Sequence, residues 1–204
     1  MMEERIREEK AAQSRPKKID KICAREVCNM VTKGTFKSKE QTYETRYILS
    51  FKRFGNEFGI AFFDVTTLEI FIGQFTDDES MSKFRTLVSQ IRPVEVVHER
   101  EFANSDVVKM LRNSPVVPAM SAMPPNKCFS FIRTCTAIEQ YFGEDARKWP
   151  EALQTLKDEE KDLAYNAFGM AIAFLTDALI DEQTIVPAHY EIYEPEAKQG
   201  TRGL

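Results

Sequence analysis

Two runs of apolar residues joined by a short turn open the most regular part of this chain. Their residue pattern predicts strands over 58–65 and 69–75, which pair as a β-hairpin across the turn at 66–68. The run at 46–54 predicts a further strand before the hairpin, separated from it by a turn at 55–56. The chain therefore enters its regular part with three consecutive strands.

After the hairpin, the apolar spacing changes to that of a helix. Asp77 and Asp78 are predicted to open this helix, because acidic groups in a first turn favour the positive end of the helix dipole. Pro93 is predicted to end it. The strand predicted next, over 94–98, is of the kind found inside a parallel sheet. The residues that share the apolar face of the helix are Met81, Phe84, Leu87, Val88 and Ile91.

The rest of the chain alternates short strands with helices and then becomes helical. Strands that alternate with helices imply parallel pairing through right-handed crossovers. A hairpin that leads into such a pattern is typical of a ribonuclease H-like α/β fold, in which helices flank a mixed sheet. The predicted elements are a helix from a cap at Asn104 or Ser105 to Arg112, a strand over 116–119, helices over 128–142, 151–156 and 158–181, and an extended stretch at Ile192 and Tyr193.

Residues 163–180 are mostly apolar, and the run is long enough to require comparison with a membrane span. Asp177 lies within it, and an aspartate near mid-helix costs about 2.5–3.5 kcal/mol on membrane-insertion scales. Acidic residues rather than basic ones flank both ends of the run. The sequence therefore predicts a helix whose alanines let it pack closely on the sheet, and no membrane partner.

The N-terminal part of the chain is basic, although the net charge of the whole chain is −4. Residues 1–39 carry eleven Lys and Arg against six Asp and Glu. Within this part, 1–14 predict a charged helix that ends at Pro16, and 26–31 predict a strand. A basic segment on an acidic body indicates phosphate contacts from this end or, equally, a solvated face. The candidate contacts to a DNA backbone are Lys17, Lys18, Lys21, Arg25 and Lys33.

Few side chains in the sequence suit catalysis or metal binding. The four cysteines form no CxxC pair, there are only two histidines, and no GxxxxGK(S/T) segment is present to hold ATP phosphates. One enzymatic arrangement stays open. Nucleases of ribonuclease H-like layout hold two divalent ions with carboxylates on the first strand, after a parallel strand and on the last helix. The acids at such positions here are Asp64, Glu99, and Asp177 or Asp181.

Several segments resemble the MutS family of DNA mismatch-repair proteins. Residues 32–35, TKGT, are similar to the turn that closes a strand at the end of the family's mismatch-binding domain. The words FIGQFTDD, KFRTLV and PVEVVHE, within 71–99, are similar to the connector domain that follows. They are closest to the larger mismatch-recognition subunit of eukaryotes, and IEQYF and LIDEQ also fall where the family has similar words.

This resemblance divides the chain into the end of a mismatch-binding domain over 1–36, a linker over 37–45, a connector domain over 46–193 and a tail over 194–204. It implies a nuclear role in DNA mismatch repair, in which a non-catalytic, ribonuclease H-like connector couples binding of mismatched DNA to ATPase domains. The implied partners are a second MutS homologue in a heterodimer, a MutL-type protein, and mismatched duplex DNA through the full-length protein.

No cofactor is implied for this chain, whereas ATP and magnesium are implied for full-length relatives. Two other hypotheses stay open. One is a divalent-metal-dependent nuclease that uses Asp64, Glu99 and either Asp177 or Asp181. The other is an adaptor that binds repair proteins without DNA.

Overall fold

A six-stranded mixed sheet runs through residues 46–195, the part of the chain that the computed structural model describes. The strand order is β5-β4-β1-β2-β3-β6. Strand β2 is antiparallel to both of its neighbours, and all other neighbouring strands are parallel. This hairpin-led mixed sheet confirms the predicted ribonuclease H-like α/β fold. The strands are β1 Ile48–Phe54, β2 Glu57–Asp64, β3 Glu69–Thr76, β4 Glu95–Glu99, β5 Ala119–Met123 and β6 His189–Ile192.

Helices cover both faces of this sheet. Side chains alternate between the faces along each strand, so that Ile48 belongs to one apolar core and Leu49 to the other. Helices α1 and α2 complete the core on one side, and α3 to α6 complete the core on the other. The α-helices are α1 Ser82–Ile91, α2 Asp106–Arg112, α3 Phe131–Phe142, α4 Glu151–Asp158, α5 Asp162–Asp177 and α6 Asp181–Ile185, and short 3₁₀ helices span Arg100–Asn104, Pro125–Lys127 and Ala146–Lys148.

Helix α1 begins later than the sequence predicts, but the two acidic residues still serve its N-terminus. The carboxylate of Asp77 accepts hydrogen bonds from the N–H groups of Lys83 at 3.0 Å and Phe84 at 2.9 Å. The carboxylate of Asp78 accepts one from the N–H of Ser82 at 3.1 Å. Both acids therefore cap the helix from a loop upstream of it, where they satisfy N–H groups that lack an intrahelical partner.

The strand predicted over 116–119 is displaced along the chain. The N–H of Ala119 is the first to pair, and it donates to the carbonyl of Val94 at 2.9 Å. Pro118 immediately before it has no N–H to donate. Val116 and Val117 remain outside the sheet and are more than half exposed. The prediction was wrong because the apolar valines were taken as the strand.

The helix predicted over 158–181 contains one complete helix, α5, together with the last residue of α4 and the first residue of α6. Glu160, with φ at +54°, separates α4 from α5, and Leu179, with φ at +57°, separates α5 from α6. Left-handed backbone at both residues interrupts the helical hydrogen bonding, although the apolar spacing continues through the second break. The helix predicted from residue 128 likewise begins at Phe131, after a cap from the side chain of Ser130.

Other predictions from the sequence lie outside the described residues. These are the helix over 1–14, the strand over 26–31, the linker over 37–45, most of the tail and all five basic residues proposed to contact DNA. Within 46–195, no helix has the combination of length and hydrophobicity that crossing a membrane requires.

Candidate functional site

The four acids of the nuclease hypothesis have separate structural roles, beginning with Asp64. This residue ends β2 and is fully buried. One carboxylate oxygen accepts the N–H of Arg46 at 2.7 Å, and the other accepts the N–H of Thr66 at 2.6 Å. Asp64 therefore closes the hairpin turn and fixes the chain just before β1.

Glu99 lies at the opposite end of the sheet from Asp64. Ile48 is the partner of both Phe63, next to Asp64, and Glu95, at the start of β4. Glu99 is four residues further along β4 and Asp64 is one residue beyond Phe63 in the opposite direction, so the two acids are about 16 Å apart along the strands. Two catalytic metal ions lie about 3.5–4 Å apart, so this separation does not allow both carboxylates to serve one such pair.

Each of the remaining acids has a different partner. Glu99 forms an ion pair with Lys52, and Asp177 forms one with Lys127. Asp181 accepts a hydrogen bond from the hydroxyl of Tyr141 at 2.7 Å. Within residues 46–195, no three His, Cys, Asp or Glu side chains gather in a way that suits a metal ion. The structure thus does not bring the four predicted acids together.

Two titratable side chains close to these acids, Cys128 near Glu99 and Tyr141 bonded to Asp181, have pKa values that favour their neutral forms. Burial raises the pKa of the Cys128 thiol to about 11, and the charge of Glu99 adds to the effect. Burial also raises the pKa of Tyr141, and its hydrogen bond to Asp181 further stabilises the protonated phenol. Nucleophilic cysteines have lowered pKa values because the thiolate is the reactive form. Cys128 therefore has the opposite of an activated environment.

An open groove lies on the other face of the sheet. It has a volume of about 620 Å³ and lies between the C-terminal part of α1 and the loop that joins α2 to β5. Its walls carry two arginines and no acidic residue. We call it the arginine groove, and its lining residues are Arg85, Val88, Ser89, Arg92, Pro93, Met110, Asn113, Ser114, Pro115 and Val116.

Local backbone geometry explains why Arg92 reaches this groove. Helix α1 ends there with a left-handed residue, since Arg92 has φ at +44° and its N–H donates to the carbonyl of Val88 at 2.9 Å. Pro93 then prevents the helix from continuing. The guanidinium of Arg85 is held by the carbonyl of Ser80 at 2.7 Å. Both arginines are thus positioned by α1.

A second feature is the close contact between α5 and the sheet, which we call the helix–sheet seam and define by Ser50, Gly59, Gln74 and the N-terminal half of α5. At Gly59, a Cβ atom would lie 2.0 Å from the carbonyl of Leu163, so only glycine permits the observed approach. The hydroxyl of Ser50 donates to the carbonyl of Ala167 at 2.7 Å.

Gln74 of β3 contributes the cap of α5. Its side-chain oxygen accepts the N–H groups of Leu163 at 3.0 Å and Ala164 at 3.2 Å. The residue in the N-cap position, Lys161, makes no side-chain cap bond. A side chain from the sheet therefore does the work that a local Ser, Thr, Asp or Asn usually does.

The sequence predicts that this helix packs closely on the sheet, but the contacts of Gly59 and Gln74 with it and the arginine groove were missed. A single glycine within the β2 pattern was an available signal for the seam, because isolated strand glycines often mark close backbone approach. No comparable signal exists for Gln74, which lies 89 residues from Leu163. The arginine groove also depends on residues that are distant in the chain.

Comparison with known proteins identifies related chains. The family model described as MutS domain II matches residues 46–185. DNA mismatch repair protein Msh6 of Gallus gallus is 28% identical over 96% of this chain and 16% of its own length. The Homo sapiens protein of the same name is 29% identical over 87% of this chain and 15% of its own length. The chain thus spans about a sixth of the length of these relatives.

Among solved structures, a Holliday junction resolvase of fowlpox virus matches 64% of this chain and 98% of its own, with a TM-score of 0.41 and 14% identity. A similarity at this level assigns neither an activity nor a substrate.

Proposed function

Because this chain belongs to the MutS family of DNA mismatch-repair proteins and carries its domain II, we propose that residues 46–193 act as the connector of a mismatch-recognition homologue resembling Msh6. In this role the domain couples binding of mismatched DNA to the ATPase domains of a full-length protein. It works in the nucleus as part of a heterodimer of MutS homologues. It performs no chemistry of its own.

The observation that carries this proposal is the helix–sheet seam within the matched region. A connector transmits a displacement only if it moves as one body. Helix α5 is 16 residues long, about 24 Å, and the seam includes a close contact from each of β1, β2 and β3, in addition to the apolar core that the helix shares with these strands. Eleven of its residues are buried. These contacts join the two hairpin strands and the parallel part of the sheet to one helix.

The roles of the acids support the absence of chemistry in this proposal. Asp64 holds backbone N–H groups, and Glu99, Asp177 and Asp181 each pair with a different side chain. Removing any one of these acids would disturb local structure. A nuclease requires instead that acids on the first strand and after a parallel strand converge on shared ions.

We further propose that the arginine groove is a contact surface for a protein partner of the MutL type. Its apolar lining and its two arginines suit a segment that combines apolar and acidic side chains. Arginine is favoured at such contacts because its planar guanidinium can donate two parallel hydrogen bonds to one carboxylate.

A domain exchange tests the connector proposal. Residues 46–185 of this chain replace the aligned segment of Gallus gallus Msh6, and the chimera is expressed in cells that lack the native protein. We expect a mutation frequency at a reporter locus close to that of the native protein. With the purified heterodimer, we expect mismatched duplex to stimulate ATP turnover more than matched duplex does.

Two variants of the chimera separate coupling from folding. Gln74→Ala loosens the seam and is expected to raise the mutation frequency and reduce the stimulation by mismatched duplex. Gln90→Ala removes the same atoms from an exposed position on α1 and should change neither. A folded chimera that restores no repair would refute the connector role, and equal behaviour of the two variants would refute the part assigned to the seam.

A further inference from the structure

The outer edge of β5 carries backbone groups that lack partners within the described residues. β5 is the terminal strand of the sheet and pairs only with β4. The N–H of Ala119 points inward to Val94, and backbone groups alternate sides along a strand. The N–H and carbonyl groups of Met120 and Ala122 therefore face away from β4. Ala122 is exposed and Met120 is half-buried.

This edge also lacks the usual protection against strand pairing. The eleven residues from Pro115 to Pro125 contain no charged side chain. Natural edge strands commonly carry charges or a proline within the strand, which prevent another chain from pairing. The opposite edge of the same sheet shows such protection, because β6 carries His189 and Glu191 with 3.4 Å between Nε2 and Oε1. The two edges thus differ in chemistry.

The arginine groove begins where this edge ends. Pro115 and Val116 line the groove, and the next residues along the chain lead into β5. Val116 is 60% exposed and Val117 is 57% exposed. Arg92, on the far wall, makes no side-chain hydrogen bond or ion pair with any residue in 46–195. The open backbone edge of β5, the exposed apolar side chains of Val116 and Val117, and the positive charge of Arg92 therefore follow one another along the surface.

We propose that the β5 edge receives an extended segment of another protein by strand addition, and that an acidic residue at one end of this segment binds Arg85 and Arg92 in the groove. The segment alternates apolar and small polar side chains along about five residues, the length of β5. Backbone hydrogen bonds to Met120 and Ala122 provide part of the affinity. The acidic residue fixes the register and the direction of the segment. This inference rests on the proposed partner-binding role and specifies the partner.

Charge selects this occupant over the chain's own remaining residues. Residues 1–45 carry eleven Lys and Arg against eight Asp and Glu, and residues 196–204 carry two against one, so both ends outside 46–195 are net positive, which opposes docking beside two arginines. The lining of the groove contains no acidic side chain to offset that repulsion. An acidic segment instead gains a charge-assisted hydrogen bond from each guanidinium.

Peptide binding to the full 204-residue chain tests the inference. The probes are two fluorescein-labelled peptides of about eight residues, within the usual range of strand lengths. Both have the same alternating valine and threonine centre. One has two glutamates at each end, and the other has two lysines at each end. We expect fluorescence anisotropy to give at least about tenfold tighter binding for the glutamate peptide, and this preference to shrink with added salt.

Three variants assign the binding to the edge and the groove. Ala122→Pro removes an N–H that faces away from β4, so the ladder to β4 keeps its hydrogen bonds while strand addition is blocked. We expect Ala122→Pro to weaken binding of the glutamate peptide about tenfold. The Ala122→Ser variant keeps the N–H and should bind this peptide as tightly as the native chain does. Arg92→Glu should abolish the preference for glutamate and strengthen binding of the lysine peptide. Thermal unfolding of each variant identifies any loss of fold.

Several results would overturn the inference. These are equal affinity of the two peptides, unchanged binding by Ala122→Pro, or absence of binding by both peptides to the folded chain. A dimer in sedimentation that Ala122→Pro dissociates would assign the edge to a second copy of this chain, and a gain in peptide affinity on removal of residues 1–45 would assign it to that segment. The domain-exchange experiment does not depend on these peptides. A chimera that restores repair while peptide binding fails would retain the connector role and reject the strand-addition site.

Discussion

Replacement of Gln74 by alanine removes the cap of α5 without touching the helix itself. One side-chain oxygen accepts the N–H groups of Leu163 and Ala164, and no other side chain replaces it in the N-cap position. Loss of a cap typically costs about 0.5–2 kcal/mol, and a buried donor left without a partner costs about 1–3 kcal/mol. Gln74 is half-buried, so water can reach part of the gap. We therefore expect the free energy of unfolding to fall by about 1–2 kcal/mol.

Urea unfolding measures this change conveniently because the chain has one tryptophan. Trp149 is 3% exposed and belongs to the core beneath α5, so its fluorescence reports loss of that core. The midpoint should fall while the slope stays constant, which indicates a change in stability and not in the unfolded state. For a domain of this size the melting temperature should fall by about 2–8 °C.

Two further variants make the measurement decisive. Gln74→Glu keeps an oxygen for both N–H groups and places a negative charge at the positive end of the helix dipole, so it should recover at least half of the loss. Gln90→Ala, on the exposed side of α1, should change stability by less than about 0.5 kcal/mol. If Gln74→Ala is no more destabilising than Gln90→Ala, the cap across the seam contributes nothing and the reasoning fails.

Three other predictions concern chemistry and packing. Since the pKa of Cys128 is raised to about 11, its thiolate fraction near pH 8 should be about 100-fold below that of a thiol with the ordinary pKa of 9.0. The rate of Cys128 alkylation, followed by peptide mass spectrometry, should therefore still increase with pH above pH 10. A rate that reaches a plateau below pH 9.5 would contradict this. The chain should cleave neither nicked nor branched DNA at any magnesium concentration, and cleavage abolished by Asp64→Asn would overturn the proposed non-catalytic role. Gly59→Ala should destabilise the chain by about 3 kcal/mol or more because its Cβ would lie 2.0 Å from the carbonyl of Leu163. Gly55→Ala, in an open turn with φ at +58°, should cost about 1 kcal/mol, and equal losses in denaturant melts would refute the close contact.

Elements with strong local signals were predictable from the sequence. The hairpin and α1 have apolar spacings that match their own geometry, and turns at Gly55 and Pro93 mark where they begin and end. Local spacing is also why the break at Leu179 was missed, because the apolar residues continue while the backbone turns left-handed for one residue. The position of β5 depended on its pairing with β4, and apolar content alone pointed to the neighbouring valines.

The site was less predictable than the fold, because its contacts join residues far apart in the chain. The sequence placed Asp64 on the first hairpin strand and Glu99 just past the next parallel strand. In the structure each is the last residue of its strand, and their positions at opposite ends of the sheet follow from strand direction. A sequence pattern does not contain that direction. The arginine groove has the same origin, since α1 supplies its arginines and a loop after α2 supplies its apolar wall.

The strand proposed to receive a partner, β5, is connected to the helix–sheet seam through residues paired across neighbouring strands. Ser121 on β5 pairs with Val97 on β4, and Val97 pairs with Ser50 on β1. Ser50 is the residue whose hydroxyl binds the carbonyl of Ala167 on α5. A strand added beside β5 would therefore extend a sheet whose next strands are already fixed to the helix that forms the seam. Because packed sheets resist continuous deformation, partner binding at this edge would act on the whole connector as one body. In that arrangement the proposed connector would have a physical means of linking a partner protein to the DNA-binding and ATPase domains of a full-length protein.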